Sequence, residues 1–154
     1  MIVYRIAKKP YIHDLSGEGS RLYGGRWNKK GTSLLYTSEN RSLATVEYLV
    51  HLPMPLIPRD ICIAAIEVPE EAPCYILQEK DLPSHWASYP PPIKLSRIIE
   101  ELLDGNRFLS IKVPSAVVED EYNILLNPGH QRYQEVDIKD VRDYHFDERL
   151  TRRT

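Results

Sequence analysis

Residues 24–51, GGRWNKKGTSLLYTSENRSLATVEYLVH, hold the pattern that decides how this chain folds. They contain a Gly-Gly-Arg-Trp-Asn turn, a short apolar run carrying Tyr36, and a segment with helical period. In that last segment Leu43, Val46, Glu47 and Val50 fall at i, i+3, i+4 and i+7, which is one helical face. Three of these side chains are apolar and the fourth is a carboxylate. An ionised carboxylate is costly to strip of water, so an inward-facing Glu has either a structural partner such as an Arg or a chemical task.

Gly24-Gly25 lets the backbone take positive φ or approach another group closely. Arg26 and Trp27 are neighbours, so in an extended segment they point to opposite sides; Trp27 suits the core, which leaves Arg26 for a cleft. Residues 28–31 form a turn. Residues 32–37 read as a strand with Leu34 and Tyr36 on one face and Leu35 on the other. Ser38, Asn40 or Ser42 can cap the helix that follows. Pro53, Pro55 and Pro58 prevent its continuation past His51.

On the N-terminal side, residues 1–6 read as a strand with Ile2, Tyr4 and Ile6 on one face and Val3 and Arg5 on the other, ended by Pro10. Residues 13–19 are polar and glycine-bearing and read as a loop. On the C-terminal side, residues 60–68 are apolar enough for a central strand. A short strand over 74–77, a helical turn over 81–86, a proline-rich loop over 89–92 and an amphipathic helix over 95–103 follow. Residues 108–118 alternate: Leu109, Ile111, Val113, Ser115 and Val117 share one face, with Ser110, Lys112 and Pro114 opposite. Ser115 is thus a polar group on an apolar face, and its simplest reading is a hydroxyl satisfied by nearby backbone. Residues 122–126 lead to the turn Asn127-Pro128-Gly129, 136–144 form a final strand, and the charged residues 147–154 are expected to fray. Strands mixed with helices predict an α+β fold, a single compact domain over residues 1–146 with a short tail.

A chain of 154 residues is large enough for a proper core. With 42% hydrophobic and 27% charged residues its composition is that of an ordinary globular domain. A net charge of -2 argues against a strongly electrostatic nucleic-acid binder, and no direct nucleic-acid contact is expected. Cys62 and Cys74 lack metal-ligand spacing and read as free thiols in a reducing cytoplasm. No apolar run reaches the roughly 18 residues of a membrane span, and the N-terminus lacks the apolar region of a signal peptide.

Arg26, Tyr36, Glu47 and Ser115 are the candidate site: a cation, an aromatic ring, a carboxylate and a hydroxyl. No metal-ligand set is present, no G-x-S-x-G surrounds Ser115, and there is no Walker A or G-x-G-x-x-G motif. His51, beyond Glu47 on the same helix, reads as a supporting residue. The four groups suit scission of an N-glycosidic bond. Its oxocarbenium-like transition state is stabilised by a nearby carboxylate. An Arg forks onto a diphosphate, a ring stacks on a flat base, and a hydroxyl fixes a ribose or amide.

At these residues the sequence resembles the RES domain family, the toxins of Xre-RES toxin–antitoxin pairs, named for an Arg, a Glu and a Ser. Here those match Arg26 in GGRWN, Glu47 in ATVEYLVH and Ser115 in VPSAVV, with Tyr36 in LLYTS. The run NILLNPGH resembles the family's Asn-Pro-His ending, and Asn123 at its start is assigned to substrate binding. The resemblance extends from Tyr4 to about Tyr144. It implies a fold like that of ADP-ribosyltransferase toxins, a small split β core with flanking helices, that takes NAD as substrate and needs no cofactor. It also implies NAD breakdown by hydrolysis or phosphorolysis, growth arrest, and an Xre-type helix-turn-helix antitoxin as partner. In this reading Arg26 contacts the phosphates or orients the nicotinamide side, Tyr36 stacks on nicotinamide, Glu47 stabilises the ribosyl cation and Ser115 positions the substrate. Protein ADP-ribosylation in the same pocket is the alternative. A non-enzymatic binding module is a third reading, which leaves inward Arg, Glu and Ser poorly explained.

Overall fold

The computed structural model describes residues 1–53 and 58–151; Pro55 and the last three residues of the expected tail lie outside them. The described strands are β1 (Ile2–Lys8), β2 (Leu35–Ser38), β3 (Ile61–Glu67), β4 (Cys74–Ile76), β5 (Ser110–Pro114), β6 (Tyr122–Leu126) and β7 (Asp137–Asp143). The α-helices are α1 (Glu18–Tyr23), α2 (Arg41–Val50) and α3 (Ile93–Leu103). The strands form one mixed sheet in the order β4-β5-β6-β2-β1-β3-β7, antiparallel except for β4 against β5. The expected α+β class holds.

The sheet is split at its centre. β1 and β3 share a seven-pair ladder, whereas β1 meets β2 through the single pair Tyr4–Ser38. One apolar cluster crosses this seam on one face, with Val3, Ala7, Ala64 and Ile66 from one half and Leu35, Ile124 and Leu126 from the other. The opposite face is covered in two separate patches. Leu95 and Ile99 of α3 pack with Ile111, Val113, Leu125, Trp27 and Trp86. Ala44 of α2 packs with Ile6, Ile61 and Ile63, flanked by Tyr4, Tyr48, Tyr144 and Phe146. Between the two patches, among the described residues, the polar side chains of Ser38, Asn123 and Glu47 meet.

Three sequence expectations change. Residues 18–23, expected partly as loop, form α1, because Ser20 Oγ donates to the Leu34 carbonyl at 2.6 Å and accepts from its amide at 2.9 Å. A tertiary anchor of this kind overrides weak local propensity. The inward face of α2 is rotated: Leu43, Ala44 and Thr45 are buried, while Val50 is 57% exposed. The inward strand face read through residues 109–117 is shorter than the alternation implied. Leu109 belongs to the seam-crossing cluster and Val117, past the strand end, is exposed. In the described part of the tail, Asp147 caps a 3-10 turn over Glu148–Leu150 and accepts from the Arg149 amide at 2.9 Å.

Candidate active site

Glu47 sits in the gap between the two helix-covered patches. Asn40 starts its helix: the Asn40 side chain accepts from the Leu43 amide at 2.7 Å and donates to Glu121 Oε2 at 2.8 Å. The second bond ties the start of α2 to the β5–β6 turn, which Ser115 N closes on the Glu121 carbonyl at 2.8 Å. Helix and turn are thereby held side by side, and Glu47 meets Ser115.

The Glu47 carboxylate is half-buried and receives two donors on one oxygen. Ser115 Oγ donates to Oε1 at 2.7 Å and Asn123 Nδ2 donates to the same atom at 2.6 Å. Among the described residues nothing donates to Oε2. Ser115 is 5% exposed and also accepts from the amides of Val117 and Val118, at 3.1 and 3.0 Å. The backbone satisfaction expected of a buried Ser is therefore present, together with the bond to Glu47. Asn123, assigned from the sequence to substrate binding, spends its amide on Glu47 and on Ser38, whose hydroxyl donates to Oδ1 at 2.7 Å.

Arg26 and Trp27 diverge as the extended backbone requires. Trp27 is buried, with its ring centroid 6.2 Å from that of Trp86. Arg26 is half-buried and makes no ion pair among the described residues; its Nη1 donates to the carbonyls of Trp86 and Ser88 at 2.8 and 2.9 Å. A guanidinium carries five N–H donors, so three remain for an anionic ligand. Burial holds this group below its ordinary pKa, and the charge of Glu47 works against that shift.

Tyr36 presents a ring rather than a hydroxyl. Its Oη donates to Asn28 Oδ1 at 2.6 Å and accepts from the Trp27 amide at 3.1 Å. Burial pushes the phenol well above its usual pKa. Asn28 is buried and was not singled out from the sequence. Its Nδ2 donates to the carbonyls of Ser20, Lys29 and Thr32, so this one side chain ties the turn to α1 and to Tyr36. The glycine pair explains the rest: Gly24 has φ 73, and a Cβ on Gly25 would lie 2.8 Å from Tyr36 Oη. An Asn beside Gly-Gly was the available signal for this knot of bonds.

His51 is exposed at the C-cap of α2 and takes part in none of these hydrogen bonds, so it does not support Glu47 directly. A cleft of about 240 Å³ opens on the Ser115 side, lined in part by Trp86, Ala87, Pro114, Val117 and Tyr122. A larger hollow of about 470 Å³, beside the end of α3 at Glu100, Leu103 and Asp104, contains none of the site residues. Among the described residues no group of His, Cys, Asp and Glu side chains is placed to hold a metal, and no helix is long and apolar enough to cross a membrane.

The RES domain family profile matches residues 2–147, and the chain belongs to that family. It is 37% identical over 135 residues to Toxin Res of Yersinia enterocolitica serotype O:8 / biotype 1B, a match covering 87% of this chain and 88% of the relative. It is 32% identical over 142 residues to the Prs ADP-ribosylating toxin of Sphingobium sp. strain YBL2, covering 91% and 88%. The fold is similar to a chain of the M. tuberculosis MbcT–MbcA toxin–antitoxin complex, with a TM-score of 0.71 at 17% identity, covering 93% of this chain and 83% of the other.

Proposed function

We propose that this protein is a toxin enzyme that breaks the nicotinamide–ribose bond of NAD in the cytoplasm and so depletes it. The carrying observation is the Glu47 carboxylate, fixed through Oε1 by Ser115 and Asn123 and open at Oε2. In this reading the C1′–N bond breaks, nicotinamide leaves with the electron pair, and Oε2 faces the positive charge developing on the ribose. A fixed charge aimed where transition-state charge develops stabilises it without reorganisation. Water or inorganic phosphate then attacks C1′ and loses a proton. The unspent Arg26 donors hold the diphosphate and the Tyr36 ring lies against nicotinamide.

Transfer of ADP-ribose to a protein side chain is the second reading, favoured by the 32% identity to a relative named an ADP-ribosylating toxin. A toxin of either kind needs a partner that covers the site, and an Xre-type antitoxin fits that role. Purified protein incubated with NAD labelled in the adenosine half decides the reaction. Free label with nicotinamide release, with or without phosphate, supports NAD breakdown; label retained on protein after denaturation supports transfer. Intact NAD under all conditions, with a cell extract added as acceptor, sinks both.

A further inference from the structure

Among the described residues the Ser38 hydroxyl makes no hydrogen bond to Arg26, Tyr36 or Glu47, and Ser38 is buried at the end of β2. Its place in the sheet is specific. Tyr4, Ser38, Asn123 and Val113 are successive partners across β1, β2, β6 and β5, so their side chains share one face in a single row. That row crosses the gap left between the two helix-covered patches. Its two polar members are hydrogen-bonded to each other, and the second is bonded to Glu47.

An Asn side chain is nearly symmetric in shape, and turning it over exchanges a donor for an acceptor. Facing Glu47, one orientation donates to the carboxylate and the other sets a carbonyl oxygen against it. An ionised carboxylate only accepts, so it draws Nδ2, and Ser38 holds the side chain in that orientation from the other end. The Ser38 hydroxyl donates to Asn123 Oδ1, with Nδ2 directed at Glu47 Oε1. We infer that Ser38 is a positioning residue: through Asn123 it fixes the Glu47 carboxylate with Oε1 held and Oε2 presented to the substrate. The inference rests on the proposed NAD chemistry for its kinetic consequence, and on the hydrogen-bond chain alone for its structural one.

The two parts are tested separately. In the kinetic test, Ser38→Ala lowers kcat roughly tenfold, the size expected for loosening one hydrogen bond to a charged group. KM for NAD stays within about twofold, because Ser38 is buried and its hydroxyl is bonded to Asn123. Ser38→Thr, which keeps the hydroxyl, restores kcat. Since Ser38 acts through Asn123, Ser38→Ala costs nothing further in an Asn123→Ala background. A loss of similar size in both backgrounds overturns the inference.

In the structural test, the Asn123 side-chain amide is followed by NMR in the absence of NAD. Ser38→Ala moves its resonances and speeds its hydrogen exchange, and Glu47→Gln moves them as well. An amide unchanged by Ser38→Ala overturns the positioning role even if NAD is consumed. An unfolded Ser38→Ala, judged by circular dichroism, also overturns it, since the residue is then needed for the fold. If the wild-type protein leaves NAD intact while the amide responds as expected, the positioning role stands and the enzymatic reading fails.

Discussion

Ser115 Oγ donates to Glu47 Oε1 across 2.7 Å, joining residues 68 apart in the chain. A hydroxyl has one proton and two lone pairs. The amides of Val117 and Val118 fill the acceptor side of Ser115, so its proton is directed outward to Glu47. Backbone geometry in the turn thus locks a freely rotating group into a donor. Asn123 adds a second donor to the same oxygen. The carboxylate is held at one end, which is the arrangement wanted of a charge that acts at the other.

Glu47→Gln keeps this shape and removes the charge. The remaining carbonyl oxygen still accepts from Ser115 and Asn123, so the fold is expected to survive with a melting temperature within about 4 °C of wild type, equivalent to roughly 1 kcal/mol. Turnover of NAD falls roughly 100-fold or more, as for loss of other preorganised electrostatic groups, while NAD still binds. Turnover, binding and melting measured on one preparation decide the matter. Near-normal turnover in a well-folded variant ends the catalytic assignment.

Arg26 pins the Trp86 and Ser88 carbonyls and, in the proposed function, holds the diphosphate; Arg26→Lys separates the two. The lysine keeps a positive charge and can reach one carbonyl of the Trp86–Ser88 segment, but it cannot reproduce a planar fork on a diphosphate. KM for NAD is expected to rise at least tenfold, about 1.4 kcal/mol of lost binding. The segment that Nη1 pins through Trp86 and Ser88 should also show faster amide exchange around Ala87 and Tyr89. An unchanged KM removes the phosphate role, and unchanged exchange removes the clamp.

The sequence singles out Glu47, Ser115 and Asn123, which the structure brings together, but not the residues that hold them or Tyr36 in place. Alternation placed Leu34 and Tyr36 opposite Leu35, and the structure keeps them so. It placed Ser115 next to an apolar face because its neighbours Ile111 and Val113 are core residues. On the helix face read from the sequence, Leu43 is buried and Glu47 turns inward, and Val50 is the exception. Val50 faces solvent, and Glu47 turns in because Ser115 and Asn123 receive it. Asn28, Ser38 and Asn123 act through partners 8 to 85 residues away. Strand register and side-chain rotamer decide such bonds, and neither leaves a periodic trace.

Gly25 and Gly19 give a paired test of the turn. A Cβ at Gly25 meets Tyr36 Oη at 2.8 Å and Asn28 Oδ1 at 3.1 Å, both locked in the knot beneath Arg26. Gly25→Ala is expected to destabilise by about 1–3 kcal/mol, the usual cost of overpacking. Gly19 lies inside α1, where a Cβ meets nothing within 4 Å. Gly19→Ala therefore stabilises by about 0.5–1 kcal/mol through helix propensity. Chemical denaturation of the two variants should move in opposite directions, and a neutral Gly25→Ala means the Tyr36–Asn28 contact is not a constraint.

Tyr36 makes a prediction about alkaline stability. Burial raises its folded-state pKa, while in the unfolded chain a tyrosine titrates near its ordinary value of about 10. Above that value the unfolded state has released the proton and the folded state still holds it. The unfolded state then binds fewer protons, so stability falls as pH rises, by about 1.4 kcal/mol per pH unit for each such group. Tyr133, whose phenol is also raised by burial, contributes in the same direction. Tyr36→Phe removes its own contribution and leaves those of Tyr133 and of Tyr48, whose phenol burial also raises. At pH 7 that variant should be less stable by about 1–3 kcal/mol, because Asn28 Oδ1 and the Trp27 amide lose their partner. Between pH 10 and 11 the gap to wild type should close by about 1 kcal/mol, since only the wild type carries the alkaline penalty at this position. Urea unfolding of both proteins across pH 7 to 11 reads this directly. A gap that stays constant over that range means the Tyr36 hydroxyl titrates like a solvated one, and the buried bonding with Asn28 and Trp27 is then wrong.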